Sequence, residues 1–147
     1  QANEELRQQA AALGLSLKPD QIIPTNSFDA HRLVKLAAEH GRAGEAQERL
    51  FSAYFAEGRH IARPETLKQV GTGIGIESEK IEQMLAGDEF AEQVRADEQE
   101  ARKIGIRGVP FFLFNRQYAI PGALPVDSFL ETLEKVREAG ESRAMKT

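Results

Sequence analysis

The chain has 147 residues, which is the size of one ordinary domain with its own hydrophobic core. Hydrophobic residues make up 41% of it and charged residues 29%, and the formal net charge of -4 argues against nucleic-acid or anionic-membrane partners. The absence of cysteine excludes disulfides, thiolate metal sites and thiol nucleophiles within these residues.

No apolar run approaches the roughly 20 residues that span a bilayer, and the N-terminal residues lack the order of a signal peptide. We therefore expect a soluble, cytoplasmic protein with no membrane partner. The first residue is Gln1 rather than methionine, so we expect the chain to be a piece of a longer product.

Most of the chain has apolar side chains at helical spacing, with glycine at the segment ends. We predict the aromatic residues Phe51, Tyr54 and Phe55 to be core, and Asp88 to cap the last of these helices. The predicted helices span residues 3–13, 25–41, 44–58, 63–71, 77–87 and 88–105, and the glycines predicted to stop helices are Gly14, Gly41, Gly58, Gly87 and Gly105.

After Gly105 the pattern of apolar residues changes from one typical of a helix to one typical of a strand. The run "PFFLF" predicts a strand covered on both faces, and "QYAI" predicts its hairpin partner. A two-residue turn at Asn115-Arg116 needs positive φ at both positions and prefers glycine at the second, so arginine there is unusual.

A closing helix is predicted over residues 124–140, and a disordered tail over 141–147. Gly140 is expected to stop the helix. Its apolar residues are expected to share one inward face. These are Val126, Phe129, Leu130, Leu133 and Val136.

Two motifs are better explained by local structure than by a ligand. The stretch "GTGIGIES" at 71–78 resembles a dinucleotide-binding loop but follows a helix and lacks the third glycine, so we interpret it as a turn between helices. The histidines at 31, 40 and 60 do not have metal-ligand spacing, so no metal site is predicted. For His31 the residues alone favour a local structural role.

Gly108-Val109-Pro110 precedes the predicted strand. Proline donates no ladder hydrogen bond and suits a strand's first residue, and spacing alone favours a trans bond because only about 5 to 6% of X-Pro bonds are cis. If the bond is cis, Val109 presents its N–H and C=O at the mouth of the sheet. An extended peptide could pair there as a short added strand.

The stretch "GIRGVPFFLFN", then "YAIPGA" and an amphipathic helix, resembles the C-terminal part of thioredoxin-like proteins of the DsbA class. The segments "PTNSFDAHRLVKLAAEHG" and "FAEQVRADEQEARKIGIRGVPFF" resemble the FrnE-like branch, which is related to 2-hydroxychromene-2-carboxylate isomerases and kappa-class glutathione transferases. The resemblance runs from about Leu13 to Val136.

The resemblance implies an α/β thioredoxin-like fold with a large inserted helical bundle, of which this chain holds a mostly α part with one hairpin and an incomplete sheet. Residues 1–14 are then the end of a helix from the missing N-terminal thioredoxin part, and 15–104 the inserted helical domain. Residues 105–140 are the C-terminal ββα portion, followed by the tail.

The resemblance also assigns site residues. Pro110 takes the place of the cis-proline, and Val109, with Gly108 before it, takes the place of the residues that hold the substrate peptide opposite the redox cysteines. Asn26 and His31 match a family signature that we place near the substrate groove. Gly122 matches the glycine after the second strand.

The redox motif of the family, Cys-x-x-C, lies upstream of these residues. We therefore expect a fragment of a thiol–disulfide oxidoreductase that acts on substrate protein thiols and disulfides without a cofactor. One alternative is an isomerase or transferase that uses glutathione and an upstream serine. Another is a redox-inactive module that binds peptides or itself, for example as a homodimer covering exposed sheet edges.

Overall fold

The structure, a computed structural model, describes residues 2–144 of the chain. Seven α-helices and one two-stranded sheet are present in these residues. The helices of the first part are α1 (Ala2–Ala12), α2 (Phe28–Glu39), α3 (Ala43–Phe51), α4 (Pro64–Gly73), α5 (Ser78–Ala86) and α6 (Ala91–Ile104). They are followed by β1 (Phe111–Phe114), β2 (Tyr118–Pro121) and α7 (Val126–Ala144).

The chain forms two compact units, Gln1–Asp97 and Glu98–Thr147, and the division falls within α6. All regular elements in the described residues of the first unit are helices, and the second unit holds the hairpin and α7. This is the predicted mostly helical architecture with one C-terminal hairpin and a closing helix, so the predicted fold class is confirmed. No helix among the described residues is long and apolar enough to cross a membrane.

The core of the helical unit lies between α2, α3, α4 and α5. Their apolar residues recur at helical spacing, so each helix buries one stripe against the others. Tyr54, Leu85 and Phe90 pack against this core from partly buried positions. The largest fully buried side chains are Leu33, Leu67, Val70, Ile81 and Met84.

One arginine is buried in this apolar surrounding. Arg32 of α2 is only 5% exposed, and its guanidinium donates to the carbonyl oxygens of Met84, of Gly87 at 2.6 Å and of Glu89 at 2.8 Å. A further N–H group contacts the Asp29 carboxylate at 2.8 Å. The last carbonyls of a helix have no partner within that helix, and they attract a cation. Arg32 therefore caps the C-terminal end of α5 from inside the bundle.

Helices α4 and α5 approach closely at Gly71. A Cβ atom at this position would lie 2.5 Å from Ile81 Cδ1, closer than Cβ atoms pack in proteins, and 3.2 Å from Leu33 Cδ1, which is a tight contact. The predicted turn between helices begins only after Gly73, so Gly71 is a packing residue within α4. At the nearby surface, Lys68 donates to Glu82 and holds the pKa of that carboxyl below its ordinary value.

In the second unit the two strands form an antiparallel hairpin. Phe112 pairs with Ile120, and Phe114 with Tyr118. Ile120 is buried, and the rings of Phe112 and Phe129 meet edge to face with centroids 4.9 Å apart. Phe112 and Leu113 remain 39% and 36% exposed, so the strand predicted to be covered on both faces is only partly covered in this chain.

The closing helix differs from its prediction in two ways. Its expected apolar face is split, because Phe129 and Val136 are half-buried whereas Val126, Leu130 and Leu133 are exposed. The helix also continues through Gly140 to Ala144 instead of giving way to the predicted tail. A single glycine costs only about 1 kcal/mol in a helix, and good helix formers surround it. Residues 145–147 of the predicted tail lie outside the described residues.

We expect Arg32→Met to lower the free energy of unfolding by about 3 kcal/mol, because it leaves several buried carbonyl oxygens without a donor. Arg32→Lys should recover only part of this loss, since an ammonium group lacks the planar fork of the guanidinium. Urea unfolding followed by circular dichroism measures both. Arg102→Met, at a residue whose side chain is 78% exposed, is the control and should change stability by less than about 0.5 kcal/mol. Equal effects of Arg32→Met and Arg102→Met would contradict the role given to Arg32.

Gly71→Ala and Gly73→Ala form a matched pair within α4. Both gain the helix propensity of alanine, but only the first adds a methyl group against Ile81, whereas the Cβ at 73 meets nothing within 4 Å. Overpacking of a core costs about 1–3 kcal/mol, so Gly71→Ala should be less stable than Gly73→Ala by about that amount. Thermal unfolding of the two variants side by side tests the difference, and equal melting temperatures would show that the contact is not tight.

Candidate functional site

The loop before β1 is the first candidate site. Helix α6 ends at Ile104, and Gly105, with φ of 87°, turns the chain away from it. Gly108, Val109 and Pro110 then lead into the strand, all three exposed. The Val109–Pro110 peptide bond is cis.

Pro110 is anchored to the hairpin. The backbone N–H of Gly122 donates to the Pro110 carbonyl oxygen at 2.8 Å, one position beyond the pairing of Phe111 with Pro121. Gly122 has φ of 102°, a conformation that residues with a Cβ rarely adopt. The glycine predicted after the second strand therefore closes the hairpin against the loop.

Val109 is the most exposed large apolar residue of the loop, at 90%. Within the described part of the chain, neither its N–H nor its C=O takes part in a backbone hydrogen bond. A backbone donor and acceptor are therefore open to a ligand, beside the end of a strand. An extended peptide forms hydrogen bonds of this kind when it adds to a sheet edge.

The far end of the hairpin is held by an unusual turn. Asn115 and Arg116 have φ of 49° and 56°, as required at the two central residues of a β-turn in which both are left-handed. The turn is closed by Gln117 N–H, which donates to Phe114 C=O at 3.0 Å. Arg116 also contacts the Glu100 carboxylate at 2.5 Å. The loop is one residue longer than the predicted turn, because Phe114 pairs with Tyr118.

Asn26 and His31 lie in the helical unit. The Asn26 Oδ1 atom accepts a hydrogen bond from the backbone N–H of Phe28 at 2.8 Å, which supports the start of α2. His31 is exposed on the first turns of α2 and lines a cavity of about 320 Å³. The structure thus brings Gly108, Val109 and Pro110 together in one loop and places Asn26 and His31 in the other unit.

Sequence reasoning missed the role of His60. Its Nδ1 atom lies 3.3 Å from Thr25 Oγ1 and accepts a hydrogen bond from the backbone N–H of Ala62, also at 3.3 Å. Because Nδ1 accepts from Ala62, the Thr25 hydroxyl is the donor in the first contact. His60 therefore fixes Thr25, which lines the same cavity as His31.

The aromatic residues at the end of α3 were predicted to be core, and this was wrong for two of them. Phe51 is 56% exposed and Phe55 is 38% exposed, and both line the cavity. The core positions of this helix are Ala46, Leu50 and Ala53, whose spacing already completes a helical stripe. That stripe is the signal that could have placed Phe51 and Phe55 beside the core instead of within it.

Among residues 2–144 no group of three or more His, Asp or Glu side chains is close enough to hold a metal ion.

Comparison with known proteins identifies the family. A model of the DSBA-like thioredoxin domain matches residues 1–134. The chain belongs to this family. The predicted resemblance to the DsbA class is thereby confirmed.

The chain is also similar to the crystal structure of a probable DsbA oxidoreductase from Streptomyces coelicolor, with 34% sequence identity and a TM-score of 0.85. The match covers 93% of this chain and 59% of that one, so the chain spans about three fifths of the length of its relative. A comparison with curated proteins finds no match.

Gly122→Ala and Gly108→Ala test how the loop is held. Neither Cβ meets an atom within 4 Å, so the two variants differ in backbone conformation and not in crowding. We expect Gly122→Ala to lower the free energy of unfolding by about 1–2 kcal/mol, because alanine disfavours a positive φ. Gly108→Ala should leave it unchanged or raise it slightly. Chemical denaturation measures both, and equal stabilities would show that Gly122 does not hold the hairpin end under constraint.

Proposed function

We propose that this chain is the substrate-presenting part of a thiol–disulfide oxidoreductase of the DsbA/FrnE-like kind. The observation that carries the proposal is Val109, which is 90% exposed at the end of a strand and has an open backbone donor and acceptor. Membership of the DSBA-like thioredoxin domain family supports it.

In the proposed complex, an extended segment of the substrate protein lies along residues 108–110. Val109 donates its N–H to the segment and accepts a hydrogen bond at its C=O, as in the addition of a short strand. Gly108 has no side chain, so the substrate backbone can approach closely. The Pro110 carbonyl oxygen accepts its hydrogen bond from the Gly122 N–H group, so it is not needed as an acceptor for the substrate.

The chemical step would follow the general course of thiol–disulfide exchange. A thiolate attacks one sulfur of the substrate disulfide, forms a mixed disulfide and releases the other sulfur as a thiolate. A second thiolate then attacks the mixed disulfide, which releases the reduced substrate and leaves the enzyme oxidised. The reverse course oxidises the substrate. These 147 residues contain no cysteine, so both thiols have to come from outside them.

The role of Val109 can be tested on this chain by NMR. A 15N-labelled sample titrated with an unfolded, cysteine-free peptide should show its largest amide shifts at Gly108 and Val109, because these N–H groups meet the peptide. Val109→Pro removes the N–H donor and should weaken binding at least tenfold. Val126→Pro, which changes another exposed valine, at the first position of α7, should not. Shifts confined to other residues would refute the proposed binding loop.

Redox activity has to be tested on the longest product of the gene. Its intact mass and upstream residues show whether Cys-x-x-C or serine is present, and an insulin-reduction assay with dithiothreitol measures turnover. Turnover that is lost when the cysteines are changed to serine supports the oxidoreductase. A serine in place of the first cysteine would indicate the glutathione-dependent alternative. Peptide binding without turnover, despite an intact Cys-x-x-C, would indicate a redox-inactive binding module.

A further inference from the structure

The helical unit contains a cavity that the proposed function does not use. Its volume is about 320 Å³, and its buried lining residues include Ala30, Leu50 and Ile61. All of its lining residues lie between positions 25 and 61, and among them there is no Asp, Glu, Lys or Arg. A cavity of this size with apolar walls is typical of a ligand site, and a lining without acidic side chains, lysine or arginine favours a neutral ligand.

One wall of the cavity consists of aromatic rings. After α3 the helix widens into a π-type turn over Ser52–Ala56, in which Glu57 N–H donates to Ser52 C=O at 3.0 Å. Around this turn Tyr54 and Phe55 meet edge to face at 4.9 Å, and Phe51 and Phe55 lie 6.2 Å apart. Insertions of this kind in α-helices occur frequently at functional sites. Exposed Phe51 and Phe55 leave ring surface open to a further ring.

Polar groups line the cavity at a few positions only. They include the hydroxyls of Thr25 and Ser27, the side-chain amide of Gln47, and His31. The contact with His60 holds Thr25 in place. Hydroxyl and amide oxygens accept hydrogen bonds, so the cavity has acceptors for one N–H donor carried by an otherwise apolar ligand.

We propose that this cavity binds a tryptophan side chain of a polypeptide substrate. An apolar cavity of about 150 Å³ holds benzene, so one about twice as large suits a two-ring group. Tryptophan is the protein side chain with two fused rings and a single N–H donor. That the tryptophan belongs to a polypeptide substrate rests on the proposed function, to which the cavity adds a preference for one type of side chain.

The chain has no tryptophan of its own, so a bound tryptophan can be observed directly by its fluorescence. The peptide Gly-Gly-Trp-Gly-Gly should show saturable binding with a blue shift of its emission, because the ring leaves water. Gly-Gly-Ala-Gly-Gly should not displace it. Free indole is the third ligand. An affinity for indole more than tenfold higher than for the peptide would indicate a small-molecule site and would overturn the proposal. Failure of the peptide to reach saturable binding would also overturn it.

Two substitutions on α3 locate the site. Gln47→Phe places a ring across the cavity and should weaken tryptophan binding at least tenfold, whereas Glu48→Phe places the same ring on an exposed position outside the cavity lining. Circular dichroism checks that both variants fold. Equal binding by the two variants would overturn the proposal.

The fluorescence experiment tests the cavity independently of the proposed oxidoreductase function. Fluorescence reports binding to this chain without any turnover, so an inactive longer product would leave the cavity result intact. Absence of saturable tryptophan binding would refute the cavity site and would leave the NMR shifts at Val109 as the test of the loop.

Discussion

The helical unit depends on one buried guanidinium group. Arg32 joins α2 to the end of α5 and to the segment that leads into α6 through three carbonyl oxygens, and it also contacts the Asp29 carboxylate of its own helix. Burial of a charged side chain is unfavourable unless it is hydrogen-bonded, and here each of the three guanidinium nitrogens has a partner. The segment it holds includes Phe90, which packs against the core with φ of 63°, so Arg32 also stabilises a backbone conformation that a bulky residue rarely adopts.

The helical segments could largely be predicted from the sequence, because period and glycine stops are local signals. Gly14, Gly41, Gly58 and Gly105 all have positive φ, as expected of glycines that end helices. The exceptions arise from tertiary contacts. Gly87 has φ of -114°, and the end of α5 is capped by Arg32, which is 55 positions away in sequence. Asp88 does not cap α6, which begins only at Ala91 after the left-handed Phe90.

The candidate sites were predictable to different degrees. The loop at 108–110 was found by its resemblance to a family and not by its residue types, since a proline before an apolar run is most often an ordinary strand start. The cavity could not be predicted, because it depends on an extra residue in the turn after α3 and on contacts between His60 and Thr25 that are 35 positions apart. The stripe of Ala46, Leu50 and Ala53 indicates that Phe51 and Phe55 lie beside the core, but it does not indicate that the helix widens after Phe51 and leaves a cavity open there.

The close approach of Gly71 to Ile81 has a consequence for how this sequence can change. The atom nearest to a new methyl group at 71 is Ile81 Cδ1, which is the atom that valine lacks. Alanine at 71 alone crowds the core, and valine at 81 alone leaves a void. Together, the added Cβ at 71 takes the space of the Cδ1 atom removed from 81. Their effects should therefore not be additive. Positions 71 and 81 form a coupled pair, and homologues in which glycine is replaced at the first are expected to have shortened the side chain at the second.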